Sequence, residues 1–303
     1  MQRRDFLIAL AAVPWVAPTL KGAQEAWRAP IIDVHYHTSE HTMAHLKGAG
    51  VSHAVLLPGG GDSEMQKTLM REHPKQFVRN AGPRIDLRDP EAVKRIRAEL
   101  ETGAVGIGEL SSPVEIDSAE MRRIYELAAE LKAPVTMHIQ GSDVPGRAAS
   151  FPGFERTYEK MVKAYPKTIF VGHAQSFWLN ISATPEKDIS LSGNLYPVGK
   201  VTRGGLSDRL LSDYENVYGS IDAKSGFTAI DRDPDFTAGF LERHKNKLMF
   251  GSDCGCTDGH GAGSPNGQCL ARNILTALLK YAKPDDFRKI VYGNAARLYR
   301  FPA

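Results

Sequence analysis

Cysteine is scarce: three residues in 303, all confined to one short segment as Cys254, Cys256 and Cys269. A disulfide-stapled small fold is therefore excluded, and one disulfide with an odd thiol is the most that an oxidising compartment could form. Charge of one sign is also lacking. The net charge is +3, and no stripe or block of Lys and Arg stands beyond the N-terminus, so a nucleic-acid partner is not expected. The one extended apolar run, through Ile8, Leu10, Val13, Trp15, Val16 and Leu20, is broken by Pro14 and Pro18 and is short for a membrane span. No Gly-rich dinucleotide fingerprint follows the first strand-like segment, which argues against a nucleotide-binding doubly wound sheet. What is present is a 42% hydrophobic content, enough to bury one large core.

Residues 1–25 read as an export leader rather than as part of the fold. Arg3 and Arg4 followed by Phe6 and Leu7 resemble a twin-arginine signal, which implies the twin-arginine export machinery as a partner and a periplasmic or extracellular destination. If the leader is inert, the protein stays cytoplasmic. Residues 26–303, roughly 275 positions, match one (β/α)8 barrel in size. Apolar, β-branched-rich runs alternate with segments of helical period. The strand candidates are Ile31–His37, His53–Pro58, Phe77–Ile85, Ala104–Leu110, Pro134–Gln140, Thr168–Ala174, Val217–Asp222 and Leu248–Asp253. Near-continuous apolar runs suit parallel strands covered on both faces. Between them, Asp89-Pro90 offers a cap and a first-turn proline, Asp117 with Glu120 resembles a capping box, and Gly205–Tyr214, Pro234–His244, Leu270–Ala282 and Pro284 onward supply later helices. Eight such units predict an α/β fold, a single closed TIM barrel with no second domain. The stretch from Gln175 to about Gly204 is too long for an idle connection and is expected to be an active-site loop or lid.

The polar residues carry the chemistry. His35 and His37 are two apart at the end of the first strand, so both imidazoles face one side. Glu109, His138, His173 and Asp253 end strands four, five, six and eight. Any one of these could be a satisfied core group. Five strand ends in register at the C-terminal mouth form a nitrogen and oxygen ligand set suited to Zn, with Mn or Fe as alternatives.

With its C-terminal Gly293-Asn294-Ala-Ala-Arg297-Leu298-Tyr299 and Phe250-Gly-Ser-Asp253, this pattern resembles the amidohydrolase superfamily, and especially its amidohydrolase-related branch of decarboxylases, hydratases and lactonases. The resemblance implies that His35, His37, His138 and Asp253 hold a first metal. It implies that Asp253 doubles as the base for the attacking water, whose pKa the metal lowers towards about 7. His173 becomes a second-metal ligand or an imidazole that polarises the substrate. Glu109 becomes a carboxylate bridging two metals, or one that orients a ligand histidine. Asp33 is expected to fix strand geometry.

The substrate-facing candidates are Arg147, Trp178, Tyr196, Lys200, Arg203 and His260; Trp178 with Phe177 reads as an apolar wall or as packing under the loop, and each loop cation taken singly also reads as a solvated charge. The remaining histidines, His41, His45, His53, His73 and His244, read as helical or surface bystanders. Cys254, Cys256 and Cys269 with His260 allow a small structural zinc site, a Cys256–Cys269 disulfide, or plain buried packing. The expected activity is metal-dependent hydrolysis of an amide, ester or lactone bond in a small polar molecule, with one or two metal ions. The alternatives are a decarboxylase or hydratase on the same barrel and, from another class, a non-catalytic ligand- or metal-binding barrel. Oligomeric state, including a homo-oligomer, is left open.

Overall fold

The computed structural model describes residues 26–57, 63–82, 85–141 and 149–302. The leader and Arg147 lie outside the described residues. Eight strands run parallel in sequence order: β1 (Ile32–His37), β2 (His53–Leu57), β3 (Phe77–Ala81), β4 (Gly106–Leu110), β5 (Val135–His138), β6 (Phe170–His173), β7 (Val217–Ile221) and β8 (Leu248–Phe250). The ring closes where the Asp253 amide donates to the His35 carbonyl at 2.9 Å and the Ser252 amide donates to Asp33 Oδ1 at 2.9 Å. Asp33 also accepts from the His35 amide at 3.0 Å. It therefore ties β1 to β8, as expected of a geometry-fixing residue.

All eight expected strands form, but several end sooner than their apolar runs. Asp222 and Asp253 fall just past the ends of β7 and β8 rather than on them. Two strands bulge at their site residues. Four residues of β1, from Asp33 to Tyr36, oppose three of β2, and four of β4, from Ile107 to Leu110, oppose three of β5. A bulge re-aims the side chains it carries, here His35 and Glu109.

An apolar cluster joins Ile32, Val34, Val55, Val78, Val171 and Met249, from five strands, to Ala295, Leu298 and Tyr299 of the C-terminal segment. Residues of so many strands meet only inside the barrel, so this plug fills its lower half and leaves the upper mouth for polar groups. The larger cluster packs the outer helices against the sheet, with Phe170, Phe177, Trp178, Phe240 and Phe250 almost wholly buried.

Helix starts differ from expectation in two places. Ser118, not Asp117, caps the helix Ala119–Leu131, its hydroxyl accepting from the Met121 amide at 3.3 Å. Asp89 instead closes a turn by accepting from the Glu91 amide, and the next helix starts at Ala92. The Gln175–Gly204 connection contains most of one helix, Ala174–Leu179, and all of a second, Pro185–Ser192, because Pro185 at the first turn and Gly193 in left-handed geometry frame a helix of its own. Among the described residues no helix is long and apolar enough to cross a membrane.

His53 opens β2 at the closed end and is 6% exposed, its ring against the edges of Tyr292 and Phe301. Burial pushes its pKa down to about 4 from 6.5. The unfolded chain binds this proton first, so the cost to folding appears as pH falls through 6.5 and is complete below about 4. The full cost is ~3 kcal/mol. Urea midpoints for wild type and His53→Gln across that range should show a shallower acid loss in the variant. Equal slopes would assign the loss to another group.

Candidate metal centre

The strand ends converge. His35 and His37 come from β1, Glu109 from the bulge in β4, His138 and His173 from the last positions of β5 and β6, and Asp253 from three residues beyond β8. His138 and His173 are direct partners in register, which sets their rings side by side. Gly108 makes the β4 bulge feasible. Its φ is +106°, and a Cβ there would sit 2.2 Å from the Thr136 carbonyl oxygen.

Glu109 is the hub. Its Oε1 lies 2.5 Å from His138 Nδ1 and 2.8 Å from His173 Nε2. Its Oε2 lies 3.3 Å from His35 Nε2 and 3.4 Å from His37 Nε2. Asp253 Oδ1 stands 3.4 Å from the same His37 nitrogen and 4.0 Å from His35 Nε2. The set therefore divides into two halves, His35 and His37 on one oxygen of Glu109 with Asp253 beside them, and His138 with His173 on the other oxygen. The resemblance places His138 with the first group. The structure brings it to His173.

Asp222, one residue past β7, completes the centre and was absent from the sequence-derived set. It is fully buried. Its Oδ1 is 2.6 Å from His173 Nδ1 and its Oδ2 is 3.3 Å from His35 Nδ1, and Ser220 donates its hydroxyl to Oδ2. The two imidazoles stack with centroids 4.2 Å apart, so one carboxylate can face both. The sequence did hold a signal, since Asp222 ends an apolar strand like the other ligands.

This arrangement calls for cations. With both Nδ1 protons directed at Asp222, a neutral His35 or His173 presents an Nε2 lone pair to the Glu109 carboxylate. Such a contact repels unless a proton or a metal lies between. Buried His35 Nε2 has no hydrogen-bond partner. Glu109, Asp222 and Asp253 sum to three negative charges in a largely buried cluster, which is costly unless compensated. Without metal, protons take that role. Burial disfavours charge on both rings, but Glu109 and Asp222 outweigh it, holding His35 well above the usual imidazole range and, with Asp222 foremost, His173 up at about 9. Burial likewise opposes charge on Glu109, and His173 and His35 overcome it, holding the carboxyl well below its ordinary value. The residues present thus fit divalent metal ions, with His35, His37 and Glu109 as one candidate set and Glu109, His138 and His173 as the other.

The substrate-facing candidates scatter. Trp178 is 2% exposed, and its indole N–H donates to the Ser220 carbonyl at 3.1 Å. With Phe177 it packs beneath the loop instead of lining the site. Lys200 is held by Asp233 and Asp235 at 3.3 and 2.7 Å. Arg203 is exposed. The Tyr196 hydroxyl accepts from Gln175, and Lys224 lies over the Tyr196 ring at 4.4 Å. His260 sits on a turn built around Asp258, against Gly48 of the helix Thr42–Ala49. A cleft of about 290 Å³ opens one residue beyond Asp253, lined by Lys224, Phe227, Cys254 and Gly255 among others. Lys224 is a cation that sequence reading passed over. Three histidines expected in surface or helical contexts are buried: His45, His53 and His244, the last bound to Asp208 at 2.6 Å.

No protein-family model and no curated protein matches the chain. Solved structures do. A 2,6-dihydroxybenzoate decarboxylase from Rhizobium aligns with TM-score 0.57 at 11% identity, over 90% of this chain and 99% of its own. A dihydroorotase from Campylobacter jejuni aligns with TM-score 0.52 at 17% identity, over 90% and 84%. A 5-carboxyvanillate decarboxylase from Novosphingobium aromaticivorans, solved with manganese and a nitrobenzoic acid, aligns with TM-score 0.51 at 15% identity, over 86% and 80%. The chain shares the barrel fold of these decarboxylases and of this dihydroorotase.

Proposed function

We propose that this protein is a metal-dependent hydrolase of the amidohydrolase superfamily, in which His35, His37, Glu109, His138, His173 and Asp253 would hold two divalent ions. The observation that carries the reading is the division of the histidines between the two oxygens of the Glu109 carboxylate. Divalent ions held there would supply Lewis acidity and a nucleophilic water at neutral pH. Zinc suits the nitrogen and oxygen donors, and manganese, the ion named for the carboxyvanillate decarboxylase, suits them also.

The chain's own residues do the rest. Asp222 fixes both Nδ1–H groups, so His35 and His173 offer Nε2 as donors without reorganisation. Asp253 is 29% exposed and faces the open side beside His37, where it can take a proton from the attacking water and return it to the leaving group. The adjoining cleft, with Lys224 at its wall, suits a small polar substrate that carries an anionic group. Hydrolysis of an amide, ester or lactone bond fits this arrangement.

The second reading is decarboxylation, favoured by the names of two of the structural neighbours. A panel of lactones, acylated amines and aromatic carboxylates, run on metal-loaded protein in isotope-labelled water, separates the two. The hydrolase reading requires labelled oxygen in the product. Release of CO2 from an aromatic acid with no oxygen incorporated would replace it with the lyase reading.

A further inference from the structure

We propose that a second, structural metal site, of the kind zinc occupies, lies at the seam of the barrel and is formed by Cys254, Cys256, Cys269 and His45. All three cysteines are unbridged. Cys254 Sγ lies 3.5 Å from Cys256 Sγ and 3.9 Å from Cys269 Sγ, and Cys256 Sγ lies 3.3 Å from His45 Nδ1. One donor atom from each of the four falls within 4.8 Å of all the others. A tetrahedral zinc with thiolate bonds near 2.3 Å and an imidazole bond near 2.0 Å sets its donors about 3.5–3.8 Å apart. The observed spacings lie close to that range, whereas a disulfide needs its sulfurs at about 2.05 Å.

His45 supplies an independent observation. It is fully buried. Its Nδ1 is 2.8 Å from the Cys256 carbonyl, and its Nε2 has no partner. A neutral imidazole has one N–H and one lone pair, so either tautomer leaves a polar atom unmet inside the protein. Nδ1 is the nitrogen that faces Cys256 Sγ, so a cation in the cluster would take the Nδ1 lone pair and leave the proton on Nε2. Cys256 and Cys269 are each 3% exposed, and Cys254 is part-buried at the edge of the cleft.

The position gives the site a purpose. His45 belongs to the helix that follows β1, and the cysteines belong to the loop that follows β8, so the ion would join the first and last strands above their seam. The loop already presses on that helix: a Cβ on Gly259, whose φ is +73°, would meet the Ala49 amide nitrogen at 2.2 Å. Cys254 directly follows Asp253. Binding would therefore fix the backbone that carries the proposed base. Each of the three thiols would give its proton to solvent on binding, with no change of redox state, leaving a site of net charge −1 around a divalent ion.

Cobalt(II), titrated into metal-free reduced protein, tests this without an activity assay. Sulfur is absent from the ligand set around Glu109, so thiolate-to-cobalt charge-transfer absorption reports the cysteine site alone. Wild type and Glu109→Gln should both show that band at one ion per chain. Cys256→Ser should lose it, and zinc-loaded Cys256→Ser should carry one ion fewer than wild type. Wild-type protein with three titratable thiols and no charge-transfer band would overturn the proposal, as would a disulfide in protein isolated anaerobically. Because the wild-type band is the primary readout, a poorly folding variant does not decide the result. Failure of the two-ion reading around Glu109 would leave the band unchanged.

Discussion

Replacing Glu109 with glutamine is expected to empty the barrel mouth of at least one metal ion and to lower turnover at least about a thousandfold. The amide keeps the size of the carboxylate but loses its charge and one acceptor oxygen. With the carboxylate charge gone, a neutral His35 or His173 can accept through Nε2 from the NH2 group, so the metal-free fold stays satisfied. A cation, by contrast, meets a donor where it needs an oxygen. Loss of metal with retained thermal stability is therefore the expected pair of results, read by elemental analysis and by thermal unfolding of the metal-free proteins. Glu109→Asp should lie between, since it keeps charge and loses reach. Full metal content and near-wild-type turnover in Glu109→Gln would reduce Glu109 to an orienting role.

Asp222→Asn should weaken metal binding about 10- to 100-fold. The asparagine oxygen can accept from only one of the two Nδ1–H groups that Asp222 now faces, at 2.6 Å for His173 and 3.3 Å for His35. The amide would oppose a second donor, and one ring would turn or change tautomer. Asp222 does not face the open side, so most turnover should return at saturating metal. Chelator competition measures the dissociation constant, and activity against metal concentration separates affinity from chemistry. An unchanged dissociation constant would mean that Asp222 only packs. Turnover that stays low at saturating metal would place Asp222 in the chemical step itself.

The fold was legible because a parallel barrel writes itself as buried apolar runs ending in punctuation, and all eight runs became strands. The ligand residues were legible for the same reason, since His37, His138, His173 and Asp253 interrupt apolar surroundings where a polar group is expensive. Their grouping was not. It depends on bulges in β1 and β4; Gly108 is a hint of the second, and no residue type in β1 announces the first. Asp222 was visible yet passed over, because strand seven ends in a single carboxylate with no familiar spacing around it. Contacts between loops were the least legible. His45 and Cys256 are 211 positions apart, and nothing local in either segment records that β1 and β8 are neighbours. The loop cations failed for a related reason. Lys200 is taken up by Asp233 and Asp235, which arrive from beyond β7, while Lys224 reaches the cleft from the start of a helix.

Electron paramagnetic resonance of protein loaded with manganese(II) alone tests the central claim directly. Manganese prefers nitrogen and oxygen donors and avoids thiolates, so the signal reports the Glu109 centre rather than the cysteine cluster. Two ions sharing one carboxylate must show an exchange-coupled signal that changes with temperature and collapses in Glu109→Gln. A signal of isolated ions only, at every metal loading and the same in both proteins, would contradict a bridged pair.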